Sequence, residues 1–427
     1  EVAPRVQASA AVGLRFNLPE GWQRIGHLGS GTSGSVDAYR FRSQDFAVKL
    51  VPNVFTSSAV ALRAVREVRI LSHFAHPNIV SLRDIFVEGS RFQHVYICME
   101  LLETSLARLV YSPGPPLEEK KVLCILYQML RGLLCMHSAQ VMHRDIKPSN
   151  VLVDGSGRVK LADFGLARAV SSAEEAQLDN APRLTEYVVT RFYRAPEVVL
   201  ATDKYSLPID VWGMGCILGE MFLREVLFKG KDSLDQVRKI VAVVGTPRPE
   251  DLMWVPPGTS AFGFVRHISR TSTGADFPCV LDKLPIKSPG LSALLVDLLC
   301  FNPDRRPTAE EAIGHEAFQT FRPENDPAVA SARATPLFDA GFEEELCKDL
   351  GQAKFDDRPF RAVFLEARDA FHPGEAPPSA ARGSSRTMKS LVRSQACEGG
   401  AASHRGTAGG DVAAGCGVAA HGALRPL

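Results

Sequence analysis

His143-Arg144-Asp145-Ile146-Lys147-Pro148-Ser149-Asn150, followed after twelve residues by Asp163-Phe164-Gly165, is the stretch on which the reading of this chain turns. Two strand-like segments lie between these polar blocks, Val151 to Val153 and Val159 to Leu161. Upstream, residues about 23 to 102 also read mainly as strands. Val36 to Phe41, Phe46-Ala47-Val48-Lys49-Leu50 and Val95-Tyr96-Ile97-Cys98-Met99 are the clearest, with one helical stretch near Ala59 to Phe74. Downstream, from about 103 to 322, apolar residues recur at helical spacing, as in Glu118 to His137 and Ser206 to Phe222. The expected fold class is α+β: a small mostly-β domain (23–102) and a larger mostly-α one (103–322). Functional sites often lie in the cleft between two such domains.

The flanks differ from this body. Residues 1–22 form an N-terminal extension without a continuous apolar core, unlike a signal peptide. Residues 323–374 keep apolar clusters, such as Phe360 and Val363-Phe364-Leu365, and are expected to pack back on the body. Residues 375–427 are rich in Ala, Gly, Ser and Arg, too poor in apolar bulk to offset chain entropy, and read as disordered. A formal charge of +1 gives no field for non-specific nucleic-acid binding. No apolar run reaches the roughly 18 residues of a membrane span. The nine cysteines are odd in number and form no CxxC pair, which argues against a disulfide framework or zinc site. A reducing compartment, cytoplasm and/or nucleus, fits that usage.

Gly29-Ser30-Gly31-Thr32-Ser33-Gly34-Ser35-Val36 follows the pattern G-x-G-x-x-G-x-V. Alone it fits a bland turn as well as a flap whose backbone N–H groups approach phosphate oxygens, no Cβ intervening. A dinucleotide fingerprint would need a helix next. The strand-like Val36 to Phe41 follows instead, which favours the flap. Lys49 ends an apolar strand, a costly place for an ammonium without an anion. Glu67 on the Ala59 to Phe74 helix is a candidate partner; a solvated strand end is the other reading of Lys49.

Taken together, in order and spacing, these blocks resemble the signature set of protein kinases. The resemblance implies a bilobal kinase fold, ATP and Mg²⁺ as cofactors, and roles carried over position by position. Asp145 is similar to the catalytic base, Lys147 would touch the γ-phosphate, and Asn150 and Asp163 would hold Mg²⁺. Lys49, paired with Glu67, would meet the α- and β-phosphates under Gly29, Gly31 and Gly34. Adenine would sit against Val36, Ala47 and Leu152, with hinge hydrogen bonds at Glu100 and Leu102 and Met99 as gatekeeper. Ala195-Pro196-Glu197 resembles the A-P-E block, with Arg306 its ion-pair partner, and Asp210 would anchor the catalytic loop. Hard Mg²⁺ prefers oxygen ligands, which Asp163 and Asn150 supply.

Thr185-Glu186-Tyr187, just before Val188 to Glu197, is similar to the dual phosphorylation lip of MAP kinases, specifically the T-E-Y branch. That resemblance implies low basal activity, raised when an upstream dual-specificity MAP kinase kinase modifies Thr185 and Tyr187, and phosphatases that reverse it. Arg66, Arg144 and Arg168 match the family's phosphothreonine cluster, and Arg191 and Arg194 its phosphotyrosine cluster. In the resembling kinases the residue matching Val189 turns its carbonyl away from the substrate. A residue after the phosphorylated Ser/Thr would then bury an unpaired N–H, costing about 1–3 kcal/mol. Proline has no N–H to lose, so Ser/Thr-Pro substrates are implied. Docking peptides are implied at an acidic patch, for which Glu343-Glu344-Glu345 and Asp356-Asp357 (the 343–357 region) are candidates, a solvated acidic face being the alternative. A cyclin-dependent kinase would lack the T-E-Y, and a pseudokinase scaffold would normally have lost Lys49, Asp145, Asn150 or Asp163, all present here.

Overall fold

Side-chain alternation along three neighbouring strands organises the first part of the chain. The computed structural model describes residues 16–31, 34–89, 91–170, 191–200, 206–271, 284–319, 325–347 and 355–373. The chain divides into two compact units, one holding residues 1–75, 80–101 and 339–409, the other 76–79, 102–338 and 410–427. In the first unit, β1 (Gln23–Gly31), β2 (Gly34–Phe41) and β3 (Gln44–Val51) precede α1 (Ser58–His73), β4 (Leu82–Val87) and β5 (Val95–Glu100). The strands form one antiparallel sheet in the order β1-β2-β3-β5-β4.

Register divides this sheet into two faces, because residues directly opposite one another point the same way and neighbours along a strand point opposite ways. Val36 pairs with Lys49 and Lys49 with Ile97; Ala38 pairs with Ala47 and Ala47 with Met99. These six residues share one face. The other face carries Tyr39, Val48, Leu50, Phe86, Tyr96 and Cys98, a buried cluster on which Phe16, Leu18, Trp22 and Phe46 pack. Fully burying a side chain such as Val48 or Leu50 contributes about 1.5–3 kcal/mol. Gly34 is demanded by the hairpin itself. Its φ is +135°, and a Cβ there would come within 2.0 Å of the Leu50 carbonyl oxygen.

The second unit is mostly helical, with β6 (Thr104–Ser105), α2 (Leu106–Tyr111), α3 (Glu119–Ser138), β7 (Val141–Met142), β8 (Val151–Val153), β9 (Val159–Leu161) and β10 (Arg168–Ala169). Then come α4 (Pro196–Val199), α5 (Pro208–Leu223), α6 (Ser233–Val244), α7 (Ser260–Thr271), α8 (Pro289–Leu298), α9 (Ala309–Gly314) and α10 (Pro327–Arg333). Helix α5 is mostly apolar, and its residues from Ile209 to Phe222, Asp210 and Glu220 included, are all buried, the behaviour of a core helix. Proline at its first turn and Arg224 in the left-handed conformation beyond its last turn delimit it. Helix α9 starts with a reciprocal capping box between Thr308 and Glu311.

The chain then returns to the first unit with α11 (Gly341–Cys347) and α12 (Arg358–Phe371). The segment read as one C-terminal extension therefore serves both units. Its earlier part joins the second, where Asp326 accepts from the Tyr127 hydroxyl (3.0 Å) and from Arg131 (2.9 Å) on α3. Its later part joins the first, where Phe364 of α12 is fully buried and Arg361 lies 4.0 Å from the Phe55 ring centroid. The tail from residue 375 lies outside the described residues.

His76 supplies a pH-dependent contribution to the second unit. Its Nδ1 accepts from the Asn78 N–H (3.1 Å) and its Nε2 donates to the Ala328 carbonyl (3.1 Å), so the neutral ring uses both nitrogens. Burial lowers its pKa to about 4 despite that carbonyl, and Arg131 and Lys160 push the same way. The unfolded chain protonates the same ring near pH 6.5. The unfolded state therefore holds more protons between those values, and stability falls as pH drops from 6.5 towards 4, by about 1.4 kcal/mol per unit. Urea unfolding of wild type and His76→Gln at several pH values should show the slope flatten in the variant; parallel slopes would contradict the assignment.

Candidate active site

In the first unit, Lys49 on β3 reaches Glu67 on α1, with Nζ 2.6 Å from Oε1 and side chains only 7% and 2% exposed. The pair settles the choice left open by the sequence: Lys49 is a buried, paired ammonium. Helix α1 is capped by Ser57, whose hydroxyl accepts from the Val60 N–H. Val36, Ala47 and Met99 share the sheet face of Lys49. Glu100 closes β5, its N–H bonded to the Ser81 carbonyl at 3.2 Å.

In the second unit, Asp145, Lys147 and Asn150 gather on the segment between β7 and β8. Asp145 is 7% exposed, and its Oδ2 accepts from Lys147 Nζ at 2.6 Å and from Asn150 Nδ2 at 2.9 Å. The same Asn150 amide nitrogen donates to the Asp145 carbonyl oxygen at 2.9 Å. Among the described residues, the Asn150 amide oxygen accepts only at long range, from the Ser149 hydroxyl at 3.5 Å. Leu102 is buried and Leu152 half-buried.

This segment is held from beneath. Asp210 on α5 accepts from the backbone N–H of His143 (2.8 Å) and of Arg144 (2.8 Å) and bonds His137 Nε2 at 3.1 Å. Burial alone would raise the Asp210 pKa, but the bonds from His137 and the His143 backbone outweigh it and hold the carboxyl below its usual range. Gly213, one turn on, lets the segment lie against α5: a Cβ there would sit 2.8 Å from the Ile146 Cβ. Behind, His143 Nε2 donates to the Ala162 carbonyl (3.0 Å), and its ring packs 5.1 Å from Phe164. The Ala162 N–H bonds Asn150 O at 2.9 Å, so the Asp163-Phe164-Gly165 turn and the Asp145 segment are tied together. Arg144 (φ 67°) and Asp163 (φ 61°) both hold left-handed backbone, a strained conformation for non-glycine residues that clusters at functional sites. Glu197 and Arg306 form a bidentate pair, 2.6 Å at each oxygen, with both side chains fully buried.

Of the arginines matched to lip phosphates, Arg168 pairs across β10 and β7 with Met142, two residues from Arg144. Arg66, in the first unit, bonds Glu343 of α11 at 2.5 Å. Arg191 opens a short 3-10 turn that precedes Arg194, and its guanidinium donates to the Lys231 carbonyl. Thr185, Tyr187 and Val189 lie outside the described residues. In the acidic region, Asp356 pairs with Arg358, whose hydrogen bonds lower the Asp356 pKa to about 2, and Asp357 pairs with Arg361.

Two clusters were not read from the sequence. The buried Glu220 carboxylate on α5 accepts from the hydroxyls of Tyr111 and Tyr193 and from the Leu227 N–H. Burial raises its pKa against those bonds. In the first unit, Asp37 on β2 accepts from Arg24 and His27 on β1. The signal for both was an acid inside an otherwise apolar run, Cys216 to Phe222 and Val36 to Tyr39.

A protein kinase domain model matches residues 22–318. The chain is 39% identical over 336 residues to the mitogen-activated protein kinase spk1 of Schizosaccharomyces pombe, spanning 78% of this chain and 87% of that one. It is 36% identical over 339 residues to mitogen-activated protein kinase 13 of Bos taurus, with 78% and 87% covered. It is also 34% identical over 343 residues to extracellular signal-regulated kinase 1 of Dictyostelium discoideum, with 79% and 63% covered. The chain belongs to the MAP kinase family. It is thus an ATP-dependent serine/threonine protein kinase with the α+β kinase fold, a five-stranded antiparallel sheet in one unit and helices in the other. Among the described residues of this kinase, no helix is long and apolar enough to cross a membrane.

Proposed function

We propose that this MAP kinase is of the T-E-Y branch, moves the γ-phosphate of ATP to Ser/Thr-Pro sites, and is switched on by phosphorylation of Thr185 and Tyr187. The observation that carries the catalytic part is the hydrogen bonding of Asp145. Its Oδ2 is occupied by Lys147 and Asn150, so Oδ1 remains the lone-pair site for a substrate hydroxyl proton. As that proton leaves, the hydroxyl oxygen attacks the γ-phosphorus and the bond to the bridging oxygen of ADP breaks. Lys147 offsets negative charge beside the acceptor, and Lys49, kept extended by Glu67, offsets charge on the other phosphates. The donor set suits Mg²⁺: the Asn150 amide oxygen has only a long contact from the Ser149 hydroxyl (3.5 Å) while its nitrogen is committed, and Asp163 adds a carboxylate. When bound, the ion would screen phosphate charge.

Glycine usage supports a ligand at the β1–β2 hairpin. A Cβ at Gly29 or Gly31 would meet nothing within 4 Å, so the described packing does not explain these two glycines, whereas close approach of phosphate oxygens would. The adenine contacts at Val36, Ala47, Met99, Glu100, Leu102 and Leu152, and the lip contacts at Arg66, Arg144, Arg168, Arg191 and Arg194, belong to the same reading. A phosphate on Thr185 would compete with Glu343 for Arg66. An upstream dual-specificity kinase and opposing phosphatases follow as partners. Basic docking peptides at 343–357 would contend with Arg66, Arg358 and Arg361 for the same carboxylates. Free thiols at the described positions 98, 135, 216 and 300 support a cytoplasmic or nuclear setting.

The test is a peptide-library assay on the chain before and after double phosphorylation. Activity should rise strongly on modification, Thr185→Ala should abolish most of the rise, and proline should be selected after the phosphorylated residue. Equal specific activity of Thr185→Ala and the phosphorylated wild type, or indifference to proline, would remove this reading.

A further inference from the structure

The glycine-rich hairpin is held from behind by a chain of polar contacts that starts at Asp37. Among the described residues, strand β1 lies at an edge of the sheet and has a ladder on one side only. That ladder is broken twice, by register shifts between Arg24 and Gly26 and between His27 and Gly29. Such bulges cost ladder hydrogen bonds and bend the strand. Directly opposite the second one stands Asp37, with its side chain 5% exposed. A carboxylate so placed needs partners, and it has two from β1: Arg24 Nε at 2.5 Å on Oδ2 and His27 Nδ1 at 2.7 Å on Oδ1.

The contact to Asp37 fixes the histidine. A carboxylate only accepts, so Nδ1 carries the proton and, in the neutral ring, Nε2 is an acceptor. Ser30 Oγ lies 3.2 Å from that Nε2 and 3.5 Å from Ser35 Oγ across the hairpin. Ser30 is the middle residue of Gly29-Ser30-Gly31, and Ser35 is its ladder partner. Ser35 and Asp37 alternate with Val36 along β2, so this chain runs over the face opposite to Val36 and Lys49. It touches the hairpin where the glycines are and leaves the Lys49 face clear.

We infer that Asp37 is a positioning residue for nucleotide binding, setting the shape of the Gly29–Gly31 end of β1 through Arg24, His27 and Ser30. The inference rests on the reading that this hairpin approaches the ATP phosphates. Its energetic basis is preorganisation. A bulged edge hairpin without these ties samples many shapes, and the binding-competent fraction sets the apparent affinity.

The experiment is steady-state kinetics of the full chain with Mg²⁺-ATP and a Ser-Pro peptide for wild type, Asp37→Asn, Ser30→Ala and the double variant. Loss of a charge-assisted contact predicts a KM for ATP raised roughly 5- to 10-fold in Asp37→Asn. The kcat should stay within about twofold and the KM for peptide should not move. Ser30→Ala, an exposed hydroxyl whose loss does not threaten folding, should raise the KM for ATP roughly two- to threefold. Because both sit in one chain, the double variant should be no worse than Asp37→Asn alone. A kcat that falls with KM for ATP unchanged, or fold-changes that multiply in the double variant, would overturn the inference. Lys49→Arg is measured alongside. Raised KM for ATP there, with Asp37→Asn unchanged, defeats this inference alone, whereas unchanged ATP kinetics in Lys49→Arg defeats it together with the nucleotide reading beneath it.

Discussion

Replacing Asp145 with asparagine is expected to lower kcat by about 10²–10⁴-fold while leaving the fold intact. The size follows from what the substitution keeps. Both hydrogen bonds to this side chain, from Lys147 and from Asn150, converge on Oδ2. An asparagine can place its amide oxygen there and retain both. Its nitrogen then occupies the Oδ1 position, presenting N–H where a lone pair is needed. A proton acceptor becomes a donor with little change in volume or packing. Thermal unfolding should therefore shift little, and the KM for ATP should hardly move, because in the proposed role Asp145 would contact the reacting hydroxyl rather than the nucleotide. A loss of kcat below about tenfold would assign the proton to another group.

Removing one member of the Glu197–Arg306 pair should cost about 3–5 kcal/mol of stability. Both side chains are fully buried, the pair is bidentate at 2.6 Å, and Arg306 also donates to the carbonyls of Cys300 and Pro208. Its guanidinium lies 5.2 Å from the Trp212 ring centroid. Glu197→Ala leaves that cation buried without a counter-charge. Water cannot reach it without opening the packing around α5. Replacing both residues with apolar side chains of matching volume removes the stranded charge, and most of the loss should return. Urea unfolding of the two variants checks this. Equal destabilisation by the single and double changes would mean that packing, not charge, dominates the site.

The sequence made legible what chemistry constrains tightly and locally. Asp145, Lys147 and Asn150 lie within six residues, and the short strands beside them follow from the apolar run Val151–Val153 and from Val159 and Leu161 flanking Lys160. The helix read as Ala59 to Phe74 is α1 within a residue at each end, because its apolar spacing and the Ser57 cap agree. Pairing across the chain was less visible. Glu343 lies 277 positions from Arg66, and nothing local in Glu343-Glu344-Glu345 distinguishes a docking patch from ion pairs within the fold. The division of the 323–374 segment between two units has the same cause. Asp326 and Phe364 find partners on α3 and beside Phe55 that only tertiary packing selects. The Asp37 chain was hidden for another reason. Bulges set which β1 residues face β2, and hydrophobic alternation carries no signal for a strand that is mostly exposed.

The most direct measurement is transfer of labelled γ-phosphate from ATP to a Ser-Pro peptide by the chain phosphorylated on Thr185 and Tyr187, with Asp163→Ala treated identically. The account predicts measurable turnover by the wild type and a loss of roughly a hundredfold or more in the variant, since the carboxylate that would hold the charge-screening Mg²⁺ is gone. Equal transfer by the two proteins would contradict it.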